Sequence, residues 1–176
     1  MQKLEPQYGM SNQLLMNHLE ALRNSQAYTA LTPAGSVMGT TSSTAIRIAS
    51  TVTYTANSFF KSRTAVETLL TTAQSIPGST TAVQEMIVVQ CVDASGNITL
   101  VNGAIASGTG NALFPEQAAQ VNSSGTQLTP VGYVRIATTT SGASFIGGTT
   151  LLNAASFTFT FGDIGPGHAD SFLATQ

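Results

Sequence analysis

Residues 156–162 read Ser-Phe-Thr-Phe-Thr-Phe-Gly, an unbroken alternation of aromatic and hydroxyl side chains. Successive side chains of a strand point to opposite faces, so this stretch sorts Phe157, Phe159 and Phe161 onto one face and hydroxyls onto the other. A helix, with its period of 3.6, would scatter the same residues around its circumference. Each buried aromatic removes about 150–250 Å2 from water, so the phenylalanine face is predicted to lie inward on a core. The texture recurs upstream. Residues 45–55 alternate and are rich in β-branched side chains, and Val131-Gly-Tyr-Val-Arg-Ile-Ala137 is a further strand entered from Pro130. Met86-Ile-Val-Val-Gln-Cys-Val92 and residues 97–101 are joined by Asp93-Ala-Ser-Gly-Asn97, a hairpin signal because Gly96 and Asn97 tolerate positive φ. Short β segments between Gly, Ser, Thr and Pro turns predict a mainly β fold, an antiparallel sandwich or barrel. Residues 61–75 fit two patterns: Val66, Leu69, Leu70 and Ala73 suit a helix, and the threonines suit a strand pair. The reading favours a short helix.

The first residues differ in period. Across residues 11–24, Leu15, Leu19 and Leu22 follow i, i+4, i+7 spacing with Leu14 beside them, and Gln13, Asn17, Glu20 and Asn24 form a polar face. Ser11 or Asn12 can cap this short amphipathic helix, and Arg23 suits its last turn. Residues 29–43, with Thr32-Pro-Ala-Gly35 and Gly39-Thr-Thr-Ser-Ser43, read as a linker. The chain therefore divides into a helical arm and linker at 1–43 and a β-rich domain at 44–176. Fourteen helical positions are marginal for a helix in water, where roughly 12–15 are needed. Leu14, Leu15, Leu19 and Leu22 must therefore be buried, on the β domain or on a partner, and they are the candidate partner interface. Deleting residues 1–28 is expected to leave the β domain folded and to weaken binding.

Charged residues make up only 8% of the 176 residues, against about 25% in an average domain. Ser and Thr, about a quarter of the chain, supply the polarity instead. A formal net charge of −2 excludes a broad basic surface for nucleic acid. No stretch approaches about 18 apolar residues, so no membrane span and no signal peptide are expected. The sequons at Asn97 and Asn122 then lack a secretory setting. The lone Cys91 lies in an apolar run beside Glu85 and Asp93, which predicts a small buried hydrophobe rather than a reactive thiol.

Chemistry is hard to find. The chain has no G-x-S-x-G, phosphate-loop or H-E-x-x-H pattern, and Gly108-Thr-Gly110 reads as a flexible turn. His18, at the edge of the helix stripe, reads as a packing residue. Asp163, His168 and Asp170 could hold a divalent ion or orient a nucleophile, but in a Gly- and Pro-rich segment they read as a solvated tail. No catalytic residue, cofactor or metal is expected, and the chain is read as a non-enzyme.

Between Asp93 and Asp163 only Glu116 and Arg135 are charged, so the strand edges lack the charges that normally prevent edge-to-edge pairing. The surface is read as one meant to be covered by copies of itself or by a larger particle. Pro130-Val-Gly-Tyr-Val-Arg-Ile136 and the segment Ser144-Phe-Ile-Gly-Gly-Thr-Thr-Leu-Leu-Asn153 resemble a pattern in tailed-bacteriophage virion structural proteins, an "IGYVRI" strand followed by an "F-x-x-G-T-T-x-L" turn. The hairpin of residues 86–99 is similar to one in the same group, and the likeness covers roughly residues 50–162. The resemblance implies a capsid decoration (cement) protein or a component of head or tail fibres. The expectation is a protein that stabilises the capsid by binding the major capsid protein. It would be a homotrimer or dimer on the capsid surface, assembled in the host cytoplasm, with no nucleic-acid or membrane partner. The alternative is a tail-fibre or receptor-binding, adhesin-like β module.

Overall fold

The structure, a computed structural model, describes residues 27–115 and 124–165. In chain order the strands are β1 (Ser36–Met38), β2 (Ala45–Ile48), β3 (Val52–Ala56), β4 (Phe59–Arg63) and β5 (Val66–Leu69). They continue with β6 (Gln84–Val92), β7 (Ile98–Asn102), β8 (Ala106–Ser107), β9 (Thr129–Thr138) and β10 (Phe157–Asp163). The fold is mainly β, and every strand pairing is antiparallel. Five strands form a sheet in the order β10-β9-β6-β7, with β8 also on β6; three form β1-β2-β5; β3 and β4 are a separate hairpin. No barrel closes among the described residues, because β10 pairs only with β9.

β6 is the centre of this arrangement. Its residues 86–92 form an apolar run broken only by Gln90, which signals burial on both faces, and eight of its nine residues are buried. Alternate side chains feed different cores. Met86 and Val88 join Ile46 of β2, Val134 and Ile136 of β9 and Phe145 in the main core. Val92 extends that side into a second cluster with Ile48, Val52, Tyr54 and Val131. Ile87, Val89 and Cys91 point the other way and pack with Val101, Leu128 and Ile164. Cys91 is thus the buried hydrophobe expected, and burial raises its thiol pKa.

Two irregularities let the layers approach. Pro130 lacks an N–H and would interrupt a central ladder, but it faces Cys91 where the β6–β9 register shifts between Gln90 and Cys91, a bulge that tolerates it. Beside it, any Cβ on Gly132 would overlap Ser36 Oγ, so only glycine admits β1 at this point. Ser36 Oγ in turn lies 3.4 Å from Oε1 of the buried Gln90.

Several expectations hold. The 86–101 hairpin and the strands at 131–137 and 156–162 are present as β6–β7, β9 and β10. Phe157, Phe159 and Phe161 do face the main core, although β10 is an edge strand and leaves them half-buried. Other expectations need correction. Within the 93–97 turn Gly96 has positive φ (85°), and Asn97 does not need it. Residues 45–55 are two strands in different sheets. Residues 29–43 are not a free linker: Ala30 and Ala34 are buried, Ala30 bridges Tyr54, and β1 pairs with β2. Ser58 N also donates to Ala27 O at 3.2 Å, so the folded unit begins by Ala27. Residues 61–75 contain the end of β4 and all of β5 rather than a helix. Pairing Val66 to Leu69 against β2 satisfies backbone groups that helical periodicity alone would have satisfied internally. The expected helix at 11–24 lies outside the described residues.

Phe145 anchors the segment that follows β9. It is fully buried, exchanges two 2.9 Å backbone hydrogen bonds with Ile76, and meets the rings of Phe157 and Phe159 at 5.6 and 5.9 Å. Phe145→Ala is expected to lower stability by about 3–5 kcal/mol. Chemical denaturation should show a lower midpoint with an unchanged slope.

Candidate interaction surface

The acidic side chains show where chemistry is and is not available. Glu67, Glu85, Asp93 and Asp163 are the four acids among the described residues, and each accepts a backbone N–H. Asp93 accepts from Ser95 N (2.7 Å) and Asn97 N (2.8 Å), which ties the β6–β7 turn. Asp163 accepts from Ser36 N at 2.8 Å and pins β1 against the end of β10. Asp163, read with His168 and Asp170 as part of a solvated tail, is instead the last residue of β10 and a structural tie; His168 and Asp170 lie outside the described residues, as do Leu14, Leu15, Leu19 and Leu22. No group of three or more His, Cys, Asp or Glu that could hold a metal ion occurs among the described residues.

Glu67, on β5, closes the turn after β1. It accepts from Thr40 N (2.6 Å), Thr41 N (2.9 Å), Ser42 N (3.2 Å) and Thr40 Oγ1 (2.8 Å). These donors, the Thr41 amide first, hold its carboxyl down at about 2. Three successive amides around one carboxylate make an anion nest, and the chain's own side chain fills it.

Glu85, the second residue of β6, is fully buried. Arg135 lies diagonally across on β9, where residues offset by two share a face. Arg135 Nε donates to Glu85 Oε2 at 2.9 Å and Nη2 donates to the same oxygen, while Ala112 N donates to Oε1. Burial pushes the Glu85 carboxyl up, but the hydrogen bonds from Ala112, Arg135 and Gly110 and the Arg135 charge outweigh it, so the carboxyl lies below its usual range. The pair fastens residues 110–112 to the sheet. Above it is a cleft of about 310 Å3 lined by Val83, Thr109, Arg135, Thr138, Thr158 and Thr160, among others. The cleft offers hydroxyls and an already paired cation, a surface for contact rather than for bond-making.

The most exposed large apolar side chains in the described residues are on the β3–β4 hairpin. Phe59 is 66% and Phe60 77% exposed. As neighbours on one strand they project from opposite faces of the ribbon. The ribbon's two-residue turn has positive φ at Asn57 (53°) and Ser58 (65°), the geometry that matches strand twist. Tyr28 Oη donates to Asn57 Oδ1 and braces the tip. Sequence reasoning missed this feature. The Asn57-Ser58 dipeptide lacks the usual glycine, and an adjacent phenylalanine pair reads as core until the packing is known.

Compared with protein-family models, curated proteins and solved structures, the chain matches none.

A depressed carboxyl pKa contributes stability above the ordinary glutamate range and loses it as the pH falls through the folded value. The protein should therefore lose stability as the pH drops below about 4.5, and NMR titration of Glu67 should show protonation only near 2. Glu85→Gln is expected to cost about 1.5–3 kcal/mol at neutral pH, the range for hydrogen bonds to a charged group. Arg135 is 30% exposed and water can take over part of its solvation, so the fully buried-pair penalty does not apply. The variant should also show a shallower loss of stability in acid, read from melting temperature against pH.

Proposed function

We propose that this chain is a non-enzymatic structural protein of a tailed-bacteriophage virion. On this reading it decorates and stabilises the capsid by binding the major capsid protein. It acts as a homo-oligomer on the capsid surface and is assembled in the host cytoplasm. The observation that carries the reading is the projecting Phe59–Phe60 ribbon on a charge-poor, hydroxyl-rich surface. Two aromatic side chains held in water by a braced turn suit a partner that covers them, since buried aromatic anchors dominate interface energetics. The resemblance of residues 130–136 and 144–153 to virion structural proteins supplies the partner. The engagement of Glu67, Glu85, Asp93 and Asp163 with backbone amides supports a non-catalytic role. In this proposal the two larger sheets form a β-sandwich headed by the amphipathic helix of residues 11–24, whose leucines add to the contact.

One observation favours a second reading, a tail-fibre or receptor-binding β module. The exposed phenylalanines stand beside Lys61 and Ser62, an aromatic-plus-polar surface of the kind on which a glycan can stack.

Co-sedimentation with capsids stripped of the protein separates the two. Phe59→Ser with Phe60→Ser is expected to weaken capsid binding at least tenfold, about 1.4 kcal/mol, with unchanged melting. A chain lacking residues 1–26, which keeps Ala27 and its bond from Ser58 N, should remain folded and bind more weakly. Undiminished capsid binding by both variants would overturn the docking surfaces, and binding to host cells but not capsids would establish the fibre reading.

A further inference from the structure

β10 is the outer strand of the five-stranded sheet, and its hydrogen-bonding phase can be read from its ends. Thr139 N donates to Ser156 O at 3.0 Å, and Ile164 N donates to Val131 O at 3.1 Å. With Phe157 opposite Thr138, this phase directs the N–H and C=O groups of Thr158, Thr160 and Gly162 toward β9. Those of Phe159 and Phe161 point away from it, and nothing among the described residues pairs with them.

Such an edge is normally blunted by a lysine, a proline, a bulge or shortness. β10 has none of these. It is seven residues long, pairs with β9 without a register break, and carries one charge, Asp163, at its end. Two other outer strands are guarded: β4 carries Lys61 and Arg63, and the four-residue β5 carries Glu67; β7, the opposite edge of the five-stranded sheet, is uncharged but two residues shorter than β10.

The sequence of the edge also identifies what fits it. Phe157-Thr-Phe-Thr-Phe161 reads the same in both directions, so an antiparallel copy presents the same pattern back to it. We propose that β10 pairs with β10 of a second copy across a twofold axis at Phe159, joining two five-stranded sheets into one continuous sheet. In that register Phe159 meets the partner's Phe159 as a hydrogen-bonded pair. Phe157 lies opposite the partner's Phe161, and Thr158 lies opposite the partner's Thr160. Aromatic pairs and Thr–Thr pairs are favourable cross-strand neighbours, and no like charges are opposed. The half-buried phenylalanines gain cover on the flank that the edge leaves open. The contact is isologous and therefore closes at two subunits. It deepens the self-association part of the proposed function and chooses the dimer, and it rests on no contact with a particle.

The test is sedimentation equilibrium of the full chain over a range of concentrations, without capsids, so its outcome is independent of capsid binding. The unaltered chain is expected to be a dimer. Thr158 and Thr160 are exposed on the face away from the main core, so both can be replaced without disturbing that core. The Thr158→Glu, Thr160→Glu chain places glutamates opposite one another twice and should dissociate, its dimer constant weakened at least tenfold. The Thr158→Lys, Thr160→Glu chain places lysine opposite glutamate and should dimerise again. Thermal melts check that each variant folds. If the double-glutamate chain does not fold, amide exchange in the unaltered chain decides: Phe159 and Phe161 should be protected at high concentration and exposed on dilution. A monomeric unaltered chain would overturn the proposal and leave the edge to another segment or another protein. So would a dimer or trimer indifferent to the paired glutamates, or Phe159 and Phe161 amides that exchange alike at every concentration.

Discussion

The double burial of β6 is the constraint on which the other elements depend. A strand with Met86, Val88 and Val92 on one face and Ile87, Val89 and Cys91 on the other needs cover on both sides. One side receives β2 and the segment around Phe145, and the other receives Val101, Leu128 and Ile164. The bulge opposite Pro130 and the bare backbone of Gly132 follow from the same demand, because β1 must reach the sheet where Gln90 is buried. Burial at roughly 25 cal/mol per Å2 of apolar surface drives this layering, and hydrogen bonding decides which layouts are tolerable.

A chain with so few charges uses each described carboxylate to close a gap in the backbone network. Glu67, Asp93 and Asp163 tie turns or strand ends, and Glu85 ties residues 110–112 to the sheet while neutralising Arg135. The remaining surface is covered with threonine and serine, whose hydroxyls adapt to many partners and do not repel a second copy. Charge scarcity therefore accompanies both the tied interior and a surface that tolerates close contact.

The two open features, the Phe59–Phe60 ribbon and the β10 edge, differ in kind. The ribbon offers apolar side chains to a partner of any backbone structure. The edge offers main-chain donors and acceptors in a row, which another extended strand satisfies in register. A protein with both has one surface suited to a foreign partner and one suited to itself.

Much of the β architecture was legible in the residues. The alternation at 156–162 and 131–137 allows one sorting of side chains, and the apolar run at 86–92 demands two-sided burial. The 61–75 segment was not legible, because its helical spacing and its threonines support both states, and pairing with β2 breaks the tie. The Glu85–Arg135 pair joins residues 50 apart and depends on strand register, which no local pattern encodes. Residues 29–43 lack periodicity and still form part of the core through Ala30, Ala34 and β1. Where the alternation or the apolar run is clear, as at 86–92, 131–137 and 156–162, local sequence by itself determined the strand and its apolar faces, since side-chain period is a property of the chain. Only the tertiary structure decided which strands meet, which carboxylates are tied and which phenylalanines stay in water, since those depend on register and on what is left to cover each face.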